Sequence, residues 1–161
     1  MKFTAQEEYG LRCLLQIARA PEGFLTISDI AAKEALTIPN VAKIMRLLRK
    51  AAIVESTRGQ KGGYRLARPP EQINVGAVLT ALGGRLYSKE FCDRYAGQKR
   101  VCVHNVDCSI RSLWTALDAV VQRALGQMVL KDLMCSEREV HSLIPLRDGP
   151  PAPALTMPRC L

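Results

Sequence analysis

The stretch Leu47-Leu48-Arg49-Lys50-Ala51-Ala52-Ile53-Val54-Glu55-Ser56-Thr57-Arg58-Gly59-Gln60-Lys61-Gly62-Gly63-Tyr64-Arg65-Leu66-Ala67-Arg68 decides the fold of this chain. Ile53 to Arg58 fits a strand, and Tyr64 to Ala67 fits a second strand returning beside it. Between them Gly59-Gln60-Lys61-Gly62-Gly63 reads as a glycine-rich turn, where positive φ is free and the backbone can approach a partner closely. Pro69-Pro70 ends the hairpin, because neither residue can donate to a ladder. The hairpin carries Arg58, Lys61 and Arg65, so its tip is basic.

Upstream lies the element that gives this hairpin its meaning. A helix begins near Thr37, with Pro39 in its first turn, where a missing N–H does no harm. Its apolar face is Val41, Ile44, Met45 and Leu48, and its opposite face is Asn40, Lys43, Arg46 and Lys50. Thr26-Ile27-Ser28-Asp29 opens a shorter helix that runs to about Ala35. Earlier still, Thr4-Ala5-Gln6-Glu7 is a capping box, followed by Leu11, Leu14, Leu15 and Ala18 at helical spacing and stopped by Pro21-Glu22-Gly23. Two short helices and a tight turn, the second helix basic on its outer face, make a helix-turn-helix. With the hairpin behind it, the expected fold is a winged helix-turn-helix, mainly α with a small β wing.

Charge agrees with that geometry. The chain has a formal net charge of +8, and the window from Lys33 to Arg68 holds nine basic residues against Glu34 and Glu55. Excess charge concentrated in this way fits a surface that faces phosphates. Asn40, Lys43, Arg46 and Lys50 are the candidates for the major groove, with Thr26 and Ser28 beside them. Arg58, Lys61 and Arg65 are the candidates for phosphates or a minor-groove edge. A charged face is often only solvated, but here it coincides with both recognition elements. Tyr64 is assigned to packing of the wing.

Downstream, Asn74 caps a helix with Val75, Val78, Leu79 and Leu82 inward and Gly83-Gly84 as its stop. Arg85 to Asp107 is polar and reads as a loop, with a helical turn near Lys89 to Arg94. From Cys108 to about Met134 a single long amphipathic helix is expected, with Ile110, Leu113, Trp114, Leu117, Val120, Val121, Ala124, Met128 and Leu133 on one face. At about 1.5 Å per residue it would reach about 37 Å, too long for so small a domain to bury. The exposed stripe would then pack on a second copy, giving a homodimer; the competing reading lays the helix along its own domain. Ser136 to Leu143 fits a short final helix, and five prolines between Pro145 and Pro158 mark a flexible tail. The organisation is therefore a DNA-binding domain over 1–84, a cysteine loop over 85–108, a dimerisation helix with a short final helix over 109–144, and a tail over 145–161. No apolar run reaches membrane-spanning length, and the N-terminus has acids where a signal peptide has an apolar core, so a cytoplasmic protein is expected.

Six cysteines remain: Cys13, Cys92, Cys102, Cys108, Cys135 and Cys160. In a cytosolic chain such a group is metal-binding or redox-active rather than a disulfide framework. Cys13 sits on the first helix as a small buried hydrophobe, and Cys135 and Cys160 receive no role. Cys92, Cys102 and Cys108 share one loop, at a spacing that lacks the close pairs of a zinc ribbon. Thiolates in a loop can wrap an iron–sulfur cofactor without straining regular structure. No acid pair, nucleophile triad or nucleotide loop is present, which argues against an enzyme.

The 47–68 stretch with its Arg-Gly-x-x-Gly-Gly-Tyr wing, the opening Glu8-Tyr9-Gly10-Leu11-Arg12 and the loop cysteines together resemble the Rrf-two family of transcriptional regulators, over about residues 1 to 134. The resemblance implies that Cys92, Cys102 and Cys108 ligate an iron–sulfur cluster of two or four irons. The interval between the first two is longer here than in the best-known members. Some members complete the set with a histidine three residues after the third cysteine, a place held here by Arg111, which cannot ligate. Others use an acidic residue just before the Tyr-Gly of the first helix, contributed by the partner subunit; that place is Glu8. Glu8 is thus the expected fourth ligand, against the plainer reading of a first-turn acid at a helix dipole, and His104 is its competitor.

The resulting expectation is a transcriptional repressor. It would bind a double-stranded, pseudo-palindromic operator as a homodimer, under control of a cluster that senses iron, nitric oxide or redox state. A winged-helix regulator that switches through bare thiols or a small-molecule effector is the nearest alternative. A zinc-stabilised protein-interaction module is the alternative from another class.

Overall fold

The computed structural model describes residues 4–57, 62–97 and 101–143. Three helices come first: α1 (Ala5–Ala18), α2 (Ile27–Glu34) and α3 (Ile38–Lys50). The antiparallel strands β1 (Val54–Thr57) and β2 (Gly63–Leu66) follow, then α4 (Val75–Gly83), α5 (Lys89–Arg94), α6 (Ser109–Gly126) and α7 (Glu137–Leu143). Both anticipated starts are true capping boxes, Thr4 with Glu7 and Thr26 with Asp29, each satisfying backbone donors at both ends. α2 turns into α3 through Ala35, whose left-handed backbone (φ 54°) closes the helix-turn-helix.

The periodic residues of α3 are the centre of the core. Val41, Ile44, Met45 and Leu48 are fully buried against Cys13, Leu14 and Ile17 of α1, Ile30 of α2 and Val78 of α4. α1 and α4 pack closely because position 10 is glycine; a Cβ there would run into the Leu82 side chain. Arg12 ties α1 to the end of α2, pairing with Glu34 at 2.5 Å while Gln16 donates to the same carboxylate at 2.6 Å. In the hairpin Val54 pairs with Leu66 and Thr57 with Gly63. The hairpin is stitched to the head by reciprocal backbone bonds between Leu25 and Tyr64 of 3.0 and 2.8 Å. That approach needs Gly63, since a Cβ there would lie 2.8 Å from the Leu25 carbonyl oxygen.

The expected long helix is corrected: α6 stops at Gly126 and does not continue to Met134. The cause is Asn74. Its side-chain oxygen accepts from Ala77 N–H and caps α4, while its amide donates to the carbonyls of Leu125, Gly126 and Met128 at the end of α6. The chain then turns back, with Val75 N–H bonded to Met128 C=O and Leu130 N–H to Ile73 C=O. Leu130 is buried in the core of the head. One side chain thus closes two helix ends. Asn74→Ala is expected to cost about 2 kcal/mol, the upper range for a lost cap because acceptors on α6 are orphaned too. Urea unfolding followed by far-UV circular dichroism measures it.

Candidate DNA interface and cysteine cavity

The outer face of α3 presents Lys43, Arg46 and Lys50 to solvent, with Asn40 half-buried beside them. Ser28 is exposed at the start of α2, but the Thr26 hydroxyl is engaged in its cap, 2.6 Å from Asp29. Arg65 forms a cross-strand pair with Glu55 at 2.7 Å, both side chains about half exposed. Its register neighbour was legible as a charge but not as a partner. Arg49, not anticipated as part of this surface, reaches from α3 to Ser56 on the wing at 3.5 Å. Arg58 and Lys61 lie outside the described residues.

Gly84 ends α4, and the chain enters the segment that carries the cysteines. Arg85 is fixed at once: its Nη2 and Nε donate to Asp118 Oδ2 of α6 at 2.6 and 3.1 Å. Asp118 is 4% exposed, and its other oxygen is buried without a hydrogen-bond partner. Beyond this clamp Cys92, Cys102 and Cys108 line one cavity of about 510 Å³, together with Tyr87, His104 and Arg111. Three residues scattered over the loop therefore converge.

Each thiol is delivered by different means. Cys92 rides on α5, where Phe91 stacks on Tyr87 and Tyr95 at 5.8 and 4.7 Å, and its Sγ lies 3.1 Å from the Tyr87 hydroxyl. That contact raises the Tyr87 phenol above its ordinary range, with partial burial adding to it. Cys102 sits in a turn closed by Asn105 N–H to its carbonyl. Cys108 is the N-cap of α6, its sulfur accepting from Arg111 N–H at 3.3 Å. The Arg111 guanidinium donates to the carbonyls of Asn105 and Val106, pinning the loop over the helix start.

The described cysteines are all free thiols. Cys13 is buried as expected, and burial pushes its thiol up to about 11, so it stays protonated and inert at neutral pH. Among the described residues no three His, Cys, Asp or Glu side chains are gathered closely enough to hold a metal ion. Donor chemistry and room nevertheless suit an iron–sulfur cluster: three sulfurs share one cavity, with a cation in the wall. Glu8 is exposed on α1 and is not among the residues lining the cavity of its own chain. His104 does line it.

A helix-turn-helix with a two-stranded wing, basic on its recognition helix, defines a DNA-binding transcriptional regulator of winged-helix class. Residues 3–136 match the family described as Rrf2, iron-dependent transcriptional regulator, and the chain belongs to that family. It is 32% identical over 149 residues to the HTH-type transcriptional regulator NsrR of Halalkalibacterium halodurans, covering 91% of this chain and 99% of that one. Among solved structures it is similar to CymR of B. subtilis, described as the global cysteine regulator (TM-score 0.65, 26% identity, 83% of this chain and 96% of that chain). It is also similar to T. potens IscR (TM-score 0.63, 28% identity, 83% and 86%). These relatives are regulators, not enzymes, and the reading as a non-DNA-binding interaction module falls with the family assignment. No helix among the described residues is long and apolar enough to cross a membrane.

Proposed function

We propose that this chain is a cytoplasmic homodimeric repressor whose operator binding is governed by an iron–sulfur cluster held by Cys92, Cys102 and Cys108. The carrying observation is the convergence of those three thiols in one cavity at the N-terminal end of α6. When bound, the cluster supplies chemistry that responds to iron supply, nitric oxide or redox state. The chain's own residues do the rest. Arg111 holds the loop against α6, and Arg85 ties the same segment to Asp118. Glu8 of the partner subunit is the proposed fourth ligand, with His104 of the same chain as its competitor.

The head, residues 1–84, reads DNA. Asn40, Lys43, Arg46 and Lys50 meet the major groove, Thr26 and Ser28 lie beside the backbone, and Arg58, Lys61 and Arg65 of the wing meet phosphates or the minor groove. Arg65 exchanges Glu55 for a phosphate on binding. Residues 85–108 form the cofactor segment. Within 109–144, α6 supplies the dimer contact through its uncovered apolar face; Ile110 is 57% exposed, Leu117 42% and Val120 62%. Residues 145–161, read as a tail, lie outside the described residues apart from this assignment.

The test is the absorption spectrum of protein purified without oxygen, with iron and sulfide analysis. Broad charge-transfer absorption with matching iron and sulfide is expected, and Cys102→Ala abolishes it while leaving far-UV dichroism unchanged. Colour retained in that variant removes Cys102 from the ligand set. The second reading, a bare-thiol switch, is favoured by the free thiols and by their lack of a tight metal-holding group in the described residues. A colourless protein that takes up no iron and sulfide, yet yields one defined disulfide on mild oxidation, would establish it instead.

A further inference from the structure

The three cavity thiols differ in what holds them, and the difference singles out one residue. Cys108 is oriented by α6, an 18-residue helix whose first turn donates to its sulfur. Cys102 is held by its own turn. Cys92 belongs to α5, a helix of six residues, too short to keep a fixed orientation by its own backbone bonds. Its sulfur is held from outside that helix, by the Tyr87 hydroxyl at 3.1 Å. Among the described residues this is the one side-chain hydrogen bond made to a cavity thiol.

Tyr87 is itself well placed to act as a support. Two residues earlier the backbone is anchored through Arg85 to the buried carboxylate of Asp118, so the phenol is referred to α6 rather than to the loop. Its ring rests on Phe91, which stacks in turn on Tyr95. We propose that Tyr87 is the positioning residue for Cys92: its hydroxyl holds that sulfur toward Cys102 and Cys108, and so links the cavity to α6 through Arg85. This inference rests on the reading of the cavity as a metal-binding site. Partners of this kind, one bond removed from the metal, typically govern affinity by orienting the ligand.

Cobalt(II) is the probe, titrated into the full-length protein freed of iron, because thiolate-to-cobalt absorption reports both affinity and the number of sulfurs bound. Tyr87→Phe keeps the ring and removes only the hydroxyl. It is expected to bind cobalt about tenfold more weakly or worse, with the same absorption at saturation and unchanged far-UV dichroism. Cys92→Ser should instead lose part of the saturating absorption. Phe91→Leu disturbs the ring stack but keeps the hydroxyl, and should stay within about twofold of the parent, the range expected when the orienting hydrogen bond survives.

Cobalt affinity unchanged in Tyr87→Phe, with Cys92→Ser still impaired, overturns the role of Tyr87 and leaves the cavity reading standing. A loss in Phe91→Leu equal to that in Tyr87→Phe assigns the effect to packing and overturns it as well. A parent protein without thiolate-to-cobalt bands overturns the cavity reading and the inference together.

Discussion

Leu117→Glu is expected to turn the proposed homodimer into a folded monomer that binds operator DNA about a hundredfold or more weakly than the parent, the loss expected when two linked binding events become independent. The operator fragment is one selected from random sequence with the parent protein. The argument starts from α6, where Ile110, Leu113, Trp114, Leu117 and Val120 recur at helical spacing and all remain more than one-third exposed. None contributes to the buried core, so the substitution leaves the head's packing alone. A carboxylate placed in the middle of this stripe must be desolvated for a second copy to pack there, at a cost of several kcal/mol. Size-exclusion chromatography with light scattering reads the first effect, and fluorescence anisotropy the second. A Leu117→Glu dimer with parental DNA affinity would move the subunit contact away from α6.

The second large effect concerns the recognition helix. Lys43→Ala/Arg46→Ala is expected to lower affinity for the same DNA about a thousandfold, since the proposed dimer loses two side chains from each of its two heads at roughly 1 kcal/mol or more apiece. Both side chains are solvent-exposed and contribute nothing to the buried cluster of Val41, Ile44, Met45 and Leu48. Thermal stability should therefore stay near the parent's. The parental affinity should also fall steeply with salt, and each lost phosphate contact should flatten the logarithmic slope by about 1. Anisotropy titrations at several salt concentrations give both quantities. An unchanged slope with lower affinity would assign Lys43 and Arg46 to bases, whereas unchanged affinity would remove them from the interface.

Features written in neighbouring residues were the legible ones. The capping pairs Thr4–Glu7 and Thr26–Asp29 announce themselves at a separation of three, and the buried face of α3 follows from spacing alone. The hairpin was readable because its glycines and prolines bracket it. The end of α6 was not, because Met128 and Leu133 continue the helical phase while the residue that breaks the helix lies far upstream. Asn74 acts on Gly126 across 52 positions, and the one local signal for the stop was Gly126 itself, a poor helix former. The burial of Leu130 in the head has the same origin.

The candidate site divides along the same line. That three cysteines share one loop was legible in the sequence; the cavity they line together was not. How they are held did not follow. In the sequence Tyr87 is one aromatic residue in a polar stretch, Arg111 a residue that cannot ligate, and Glu55 a charge within a basic window. Their partners are set by register and by a turn, which appear only once the chain is folded.

The clamp at Asn74 makes α6 a lever with one fixed end. Its C-terminal root moves with the head, because Asn74 and Leu130 bind it there, whereas its N-terminal tip begins at Cys108. Eighteen residues separate root from tip, a span of about 27 Å. A push at the tip would therefore act as a rotation about the root, and the recognition helix, seated on the same base, would turn with it. Under the function proposed above, chemistry at Cys108 would thereby be geared to the angle at which the whole head meets the groove, and no part of the DNA-reading surface need deform.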